Sequence, residues 1–330
     1  MKRTLLSFLA MAAMSATAMA ADIKPAIIYD LGGKFDKSFN EAAFNGAEKF
    51  KTETGIEYRD FEIANDAQRE QALRRFAKDG NNPIVMAGFS WASALEKIAA
   101  EYPDTNFAII DMVVDKPNVR SVVYKEQEGS YLVGVAAAMA SKSKKLGFVG
   151  GMDIPLIRAF ACGYTQGAKA QFPKVEIMQN MVGTTAAAWN DPAKGGELAR
   201  AQFDRGADVV FAVAGGSGMG ALQMAKTKGK LAIGVDSNQN YLHPGTMLTS
   251  MVKRVDNAVY ESFMAQKNGT WKAGVTHKGL KEGGVDWVLD KDNRKLVSPE
   301  MEKRVNAVRT DIINGKIKVI DYRTAGSGPV

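Results

Sequence analysis

The sequence predicts an α/β protein built as two doubly wound, parallel-sheet lobes, and three observations carry that expectation. From Pro25 onward short β-branched runs alternate with amphipathic stretches of helical length, a pattern that produces right-handed crossovers and parallel sheets. The 330-residue chain exceeds one ordinary core: without a leader about 310 residues remain, enough for two lobes of roughly 150 each. Most of the runs end in a polar or glycine-rich turn, and in open α/β sheets the ligand crevice lies at those carboxyl ends.

The chain begins with Lys2 and Arg3, an apolar run from Leu5 to Ala13, and a small-residue stretch ending Ala18-Met19-Ala20. That zoning reads as a signal peptide over residues 1–20, cleaved after Ala20, in preference to a buried amino-terminal helix. The apolar run falls short of the ~20 residues that span a bilayer. The mature protein is therefore expected to be soluble and outside the cytoplasm. The formal net charge is +7, two units of which belong to Lys2 and Arg3, and no basic block is present. A dispersed surplus of this size disfavours nucleic acid as a partner. Cys162 is the only cysteine, so there is no disulfide framework, no thiolate pair for a metal, and no lipidation cysteine behind the leader.

Strands are expected at Ala26–Tyr29, Ile84–Met86, Phe107–Ile110, Leu146–Val149, Val209–Val213 and Leu231–Val235. The turns that follow them are Asp30–Lys34, Gly88–Ser90, Asp111, Gly150–Asp153, Gly215–Gly218 and Asp236–Asn240. Ser298-Pro299-Glu300 reads as an N-cap with Pro at the first helical position, starting a helix to about Asn314. Lys316–Ile320 reads as a final strand, and Thr324–Val330 as a frayed tail.

Two motifs invite enzymatic readings. Gly216-Ser217-Gly218-Met219-Gly220-Ala221 matches G-x-G-x-x-A between a strand and a helix, with Asp236 closing the next strand where a dinucleotide fold places its ribose acid. It lies in the third βα unit of its lobe rather than the first, and nicotinamide cofactors are scarce outside the cytoplasm. No cofactor is expected; backbone N–H groups there suit any oxygen-rich ligand. Gly88-Phe89-Ser90-Trp91-Ala92 resembles a degenerate nucleophile elbow, but neither His243 nor His277 stands in a triad context. Ser90 is better read as a helix N-cap at a pocket edge. Two histidines and one cysteine leave no metal-ligand spacing.

What remains is a set of aromatic and acidic residues in loops. Phe35, Phe39 and Phe44 surround the run Asp36-Lys37-Ser38-Phe39-Asn40-Glu41, Trp189 lies within Thr184–Pro192, and Asp111 and Asp236 end strands. Flat aromatics stack on flat rings, and carboxylates accept from ring N–H groups or vicinal hydroxyls. Phe44 as a core residue, Asp36 as an N-cap and Asp111 as an ordinary turn residue are the bland alternatives.

At these residues the sequence resembles the basic membrane protein family of ABC-transporter receptors, which includes purine nucleoside receptors. The resemblance runs through Gly32–Asn40, Gly147–Pro155, Ala214–Gly218, Gly234–Ser237, Leu248–Asp256 and Gly279–Asp286. It implies a type I periplasmic binding protein fold, with residues 22–127 plus 254–278 in one lobe and 128–253 plus 279–330 in the other. Crossings are expected near Glu126–Ser130, Lys253–Val255 and Lys278–Leu280. It also implies that Phe44 and Trp189 sandwich a base. Asp111 and one residue of the loop Asp36, Lys37, Ser38, Phe39 and Asn40 would bond the base edge; Asp236, Lys253 and the backbone of Gly215 would hold the ribose. Many relatives carry a lipidation cysteine that this chain lacks, which points to a Gram-negative periplasm. The implied partners are a nucleoside and an ABC permease, with the receptor itself a monomer. A receptor for another heteroaromatic or sugar-like solute, or a periplasmic nucleoside-processing enzyme, is the alternative.

Overall fold

The computed structural model of the protein describes residues 23–325. The expected leader at 1–20 and the tail at 326–330 lie outside the described residues.

Five strands form in chain order within a first sheet: β1 (Ala26–Tyr29), β2 (Arg59–Glu62), β3 (Ile84–Met86), β4 (Phe107–Ile110) and β5 (Val119–Tyr124). Five more build a second: β6 (Lys145–Met152), β7 (Glu176–Gly183), β8 (Val209–Val213), β9 (Leu231–Asp236) and β10 (Met247–Lys253). The chain then returns to the first sheet for β11 (Gly274–Lys278) and ends in the second with β12 (Val285–Trp287). The strand orders are β11-β5-β4-β3-β1-β2 and β12-β10-β9-β8-β6-β7. Every pairing is parallel except β10 with β12.

The helices lie on both faces of these sheets. In the first lobe they are α1 (Phe39–Thr54), α2 (Arg69–Lys78) and α3 (Ala92–Glu101). Then come α4 (Glu126–Ala140), α5 (Pro155–Gln171), α6 (Pro192–Asp204) and α7 (Gly218–Thr227) on the second sheet. After α8 (Val255–Lys267), which packs against α1, follow α9 (Pro299–Ile313) and the short α10 (Tyr322–Ala325). Central strands covered on both faces must be apolar throughout, and β1, β3, β4 and β8 are buried at every position. Alternate residues of β1 serve opposite layers. Ile28 packs with Leu73 and Phe76 of α2, whereas Ile27 belongs to the core that holds Phe50 of α1 and Phe263 of α8.

Three connections join the lobes: Lys125 between β5 and α4, Arg254 between β10 and α8, and residues 279–284 between β11 and β12. The expected helix from Pro299 forms, and the Ser298 hydroxyl accepts from the Met301 N–H. The strand expected at Lys316–Ile320 does not. Its backbone has no ladder partner; Ile320 exchanges hydrogen bonds with the Gln166 side chain on α5.

In each sheet the strand order reverses once, at β1/β3 and at β6/β8. Ligand crevices of doubly wound sheets open at such reversals, beyond the strands' carboxyl ends. Here the two crevices face each other.

Candidate functional site

A cleft of about 580 Å³, part of it open to solvent, lies between the lobes. The first lobe lines it with Asp30, Leu31, Asp36, Phe39 and Asn40 after β1, Gly88 and Phe89 after β3, and Asp111 after β4. The second supplies Leu156, Ile157 and Phe160 from α5, Trp189 after β7, Val213 and Gly215 at the end of β8, Asp236 ending β9, and Lys253 ending β10.

Asp111 and Asp236 both hold left-handed backbone, at φ 73° and 63°. That conformation costs a non-glycine residue free energy and concentrates at functional sites. Lys253 lies between them. Its ammonium is 2.6 Å from Asp111 Oδ2 and 3.2 Å from Glu126 Oε1, and the rings of Tyr124, Phe39 and Phe160 surround it at 5.1, 5.2 and 5.6 Å. Burial alone would depress this ammonium, but Asp111, Glu126 and Asp236 together raise its pKa, so it stays charged. Asp111 Oδ1 is buried with no protein partner, a free acceptor that favours a ligand donor.

The lobes also touch directly beside this cluster. The Ser38 hydroxyl donates to Asp236 Oδ2 at 2.7 Å, Ser237 Oγ donates to the Ser38 carbonyl at 2.8 Å, and Gln239 Nε2 donates to the Lys37 carbonyl at 2.8 Å. Burial pushes the Asp236 carboxyl up, with Lys253 and Ser38 opposing.

The loop at 36–40 divides its labour. Asp36 accepts from the backbone N–H groups of Ser38, Asn40 and Glu41 and so closes the start of α1; it is both a cap and a cleft residue. Burial nevertheless pushes its carboxyl up to about 7. Asn40 is committed to the backbone, donating to the carbonyls of Asp30 and Gly33 and accepting from the Asp30 N–H. Lys37 pairs with Glu41 and faces an outer groove. Of the loop residues, Asp36, Phe39 and Asn40 line the cleft, while Lys37 and Ser38 do not.

Phe44 is placed outside the cleft, contrary to the sandwich role implied for it. Five residues after Phe39 on one helix is a rotation of about 140° away from it, so the two rings cannot face the same space. Phe44 instead makes an edge contact with Phe35, their centroids 5.3 Å apart, beneath the ammonium of Lys34 at 4.4 Å. The other aromatic residues that line the cleft are Phe39, Phe89 and Phe160. Nothing in the sequence marks Phe160, because a buried phenylalanine on an apolar helix face carries no sign of function.

Trp189 is held by its neighbours. The Ser217 hydroxyl donates to the Ala188 carbonyl and accepts from the Asp191 N–H, both at 2.7 Å, pinning the turn on either side of the ring. A Cβ at Gly151 would stand 2.2 Å from Trp189 Cζ3, so only glycine admits the indole there. Within the stretch that matches G-x-G-x-x-A, Gly220 stands at a variable position and serves packing: a Cβ there would lie 1.7 Å from the Pro192 carbonyl, and the glycine lets α7 press against α6. Ser90 lies in a 3-10 turn that precedes α3 and caps no helix. His243 and His277 do not line the cleft.

Among the described residues no helix is long and apolar enough to cross a membrane. A sequence model of the family described as ABC transporter substrate-binding protein PnrA-like matches residues 24–322. The chain is 33% identical to the ABC transporter nucleoside-binding protein BmpA of Lactococcus lactis subsp. cremoris, over 90% of this chain and 89% of that one. It is 32% identical to basic membrane protein A of Borreliella afzelii, over 89% and 91%. Among solved structures, an ABC-transporter solute-binding protein of Aeropyrum pernix superposes with a TM-score of 0.83 at 30% identity, covering 91% and 93% of the two chains. The arabinose-binding component of an ABC transporter from a Shewanella species, at 16% identity and a TM-score of 0.61 over 86% and 97%, shares the fold alone. The protein belongs to the PnrA-like family of ABC-transporter substrate-binding proteins, the basic membrane protein family, with the type I periplasmic binding fold.

Proposed function

We propose that this substrate-binding protein is a monomeric, non-enzymatic periplasmic receptor that closes its lobes around a purine nucleoside and presents it to an ABC permease. The observation that carries the reading is the convergence, from both lobes, of Asp111, Asp236 and Lys253 on one cleft walled by Phe39, Phe160 and Trp189. Carboxylates and an ammonium suit the vicinal hydroxyls of a ribose, and the aromatic wall suits a flat base. The relative described as nucleoside-binding supports the same choice. The contact between Asp111 and Lys253 favours moving Asp111 from the base edge to the sugar corner, where its free oxygen takes a hydroxyl. Trp189 stacks on the base, with Phe39 or Phe160 in the place first given to Phe44. Asp36 faces the base edge, and the Gly215 backbone completes the sugar side.

Mass spectrometry of the small molecule released from freshly purified, denatured protein tests this directly. A purine nucleoside is expected; a sugar without a base would overturn it. Incubation with inosine or NADH is expected to yield neither free base nor an absorbance change, and turnover of either would replace the receptor with an enzyme.

A further inference from the structure

We propose that Arg323, on the C-terminal helix α10, is a positioning residue of the cleft: acting through Glu126, it fixes the ammonium of Lys253 so that one N–H remains for a ligand hydroxyl. The inference rests on the reading that Lys253 faces the sugar. Asp111, Lys253, Glu126, Arg323 and Asp321 form a row of alternating charge from the cleft to the outside of the hinge. Successive contacts are 2.6, 3.2, 2.9 and 2.8 Å. Glu126 is fully buried at the first crossing, and Arg323 also donates to the carbonyl of Tyr124, the last residue of β5.

The charge balance shows why the arginine matters. Three carboxylates, Asp111, Asp236 and Glu126, act on the single ammonium of Lys253. A buried carboxylate with a third share in one cation is under-compensated. Arg323 supplies Glu126 with a cation of its own, leaving Lys253 to Asp111 and to the cleft. Without it, Glu126 either draws the ammonium toward the hinge or takes up a proton and releases it. The first turns an N–H away from the cleft; the second removes the contact that holds the ammonium in one orientation.

The test is calorimetric binding of inosine and 2′-deoxyinosine to the mature chain and to R323A, R323K and E126Q. Wild type is expected to prefer inosine. R323A and E126Q are expected to weaken inosine about tenfold, the order of one hydrogen bond to a charged group, and 2′-deoxyinosine far less, so that the preference narrows. R323K, which keeps the cation, is expected to recover most of it. If R323A does not fold, R323Q carries the test, since it keeps a donor for the Tyr124 carbonyl without the charge. An equal loss for both ligands, or none for either, would show Arg323 to be a structural staple and overturn the proposal. If wild type binds neither nucleoside, the functional reading itself falls and this proposal with it.

Discussion

The ammonium of Lys253, at the end of a strand in the second sheet, lies 2.6 Å from the carboxylate of Asp111, which follows a strand in the first. Both side chains are almost wholly buried, at 2% and 5% exposure. Breaking such a pair from one side leaves charge buried without compensation and costs about 3–5 kcal/mol. Lys253→Met is therefore expected to lower the free energy of unfolding by an amount of that order, read by urea denaturation, and to abolish nucleoside binding. Adding Asp111→Asn is expected to restore part of the stability but none of the binding. A Lys253→Met protein as stable as wild type would contradict the network described.

Trp189 lines the cleft and Phe44 does not, a distinction that the sequence alone does not make. Stacking is worth roughly 1–3 kcal/mol per base in nucleic-acid proteins, so Trp189→Ala should weaken inosine binding by about one to two decades. Phe44→Ala should leave the dissociation constant within about twofold, because its ring packs on Phe35 outside the cleft. Calorimetry showing the reverse order would return Phe44 to the site.

Gly151 is predicted to act through Trp189. A methyl group at 151 collides with the indole, so Gly151→Ala should weaken binding in the wild-type background. In the Trp189→Ala background, where the ring is gone, the same change should cost nothing further, a coupling that a double-mutant cycle measures. Additive losses would mean that Gly151 matters for the strand and not for the ring.

Asp36 gives stability a pH dependence of definite sign. Burial raises its carboxyl from an ordinary 3.8 to about 7, so between those values the folded chain binds a proton that the unfolded chain does not. Its contribution favours folding at the acid end of that window and is lost as pH rises through about 7. Stability of wild type relative to Asp36→Asn is expected to fall between roughly pH 4 and pH 7 and to level off above that. A flat difference would show the carboxylate to be fully compensated by the α1 N–H groups it caps.

Much of the fold was legible in the sequence because its central strands are apolar at every position and end in polar turns. Ala26–Tyr29, Ile84–Met86, Phe107–Ile110 and Val209–Val213 coincide with the strands observed. Edge strands were not read: Arg59–Glu62 and Gly274–Lys278 carry charge and face solvent, which is how edges avoid mispairing and also how they escape notice. Lys316–Ile320 alternates like a strand and forms none, because alternation alone cannot supply a partner strand. In the cleft, the strand-ending Asp111 and Asp236 stood out as turns. Phe160, Glu126 and Arg323 did not, since each gains its meaning from a neighbour more than 100 residues away or from the opposite lobe.

Whether both lobes close on a base joined to a ribose is read by titrating one protein preparation with inosine, 2′-deoxyinosine and hypoxanthine in a calorimeter. One inosine per chain is expected, with a loss of about 1–3 kcal/mol on removing the 2′-hydroxyl because a buried charged group is left unpaired, and a further loss for the free base. Equal affinity for inosine and hypoxanthine would contradict it, leaving Asp111, Asp236 and Lys253 as a lobe-joining cluster with no part in holding a sugar.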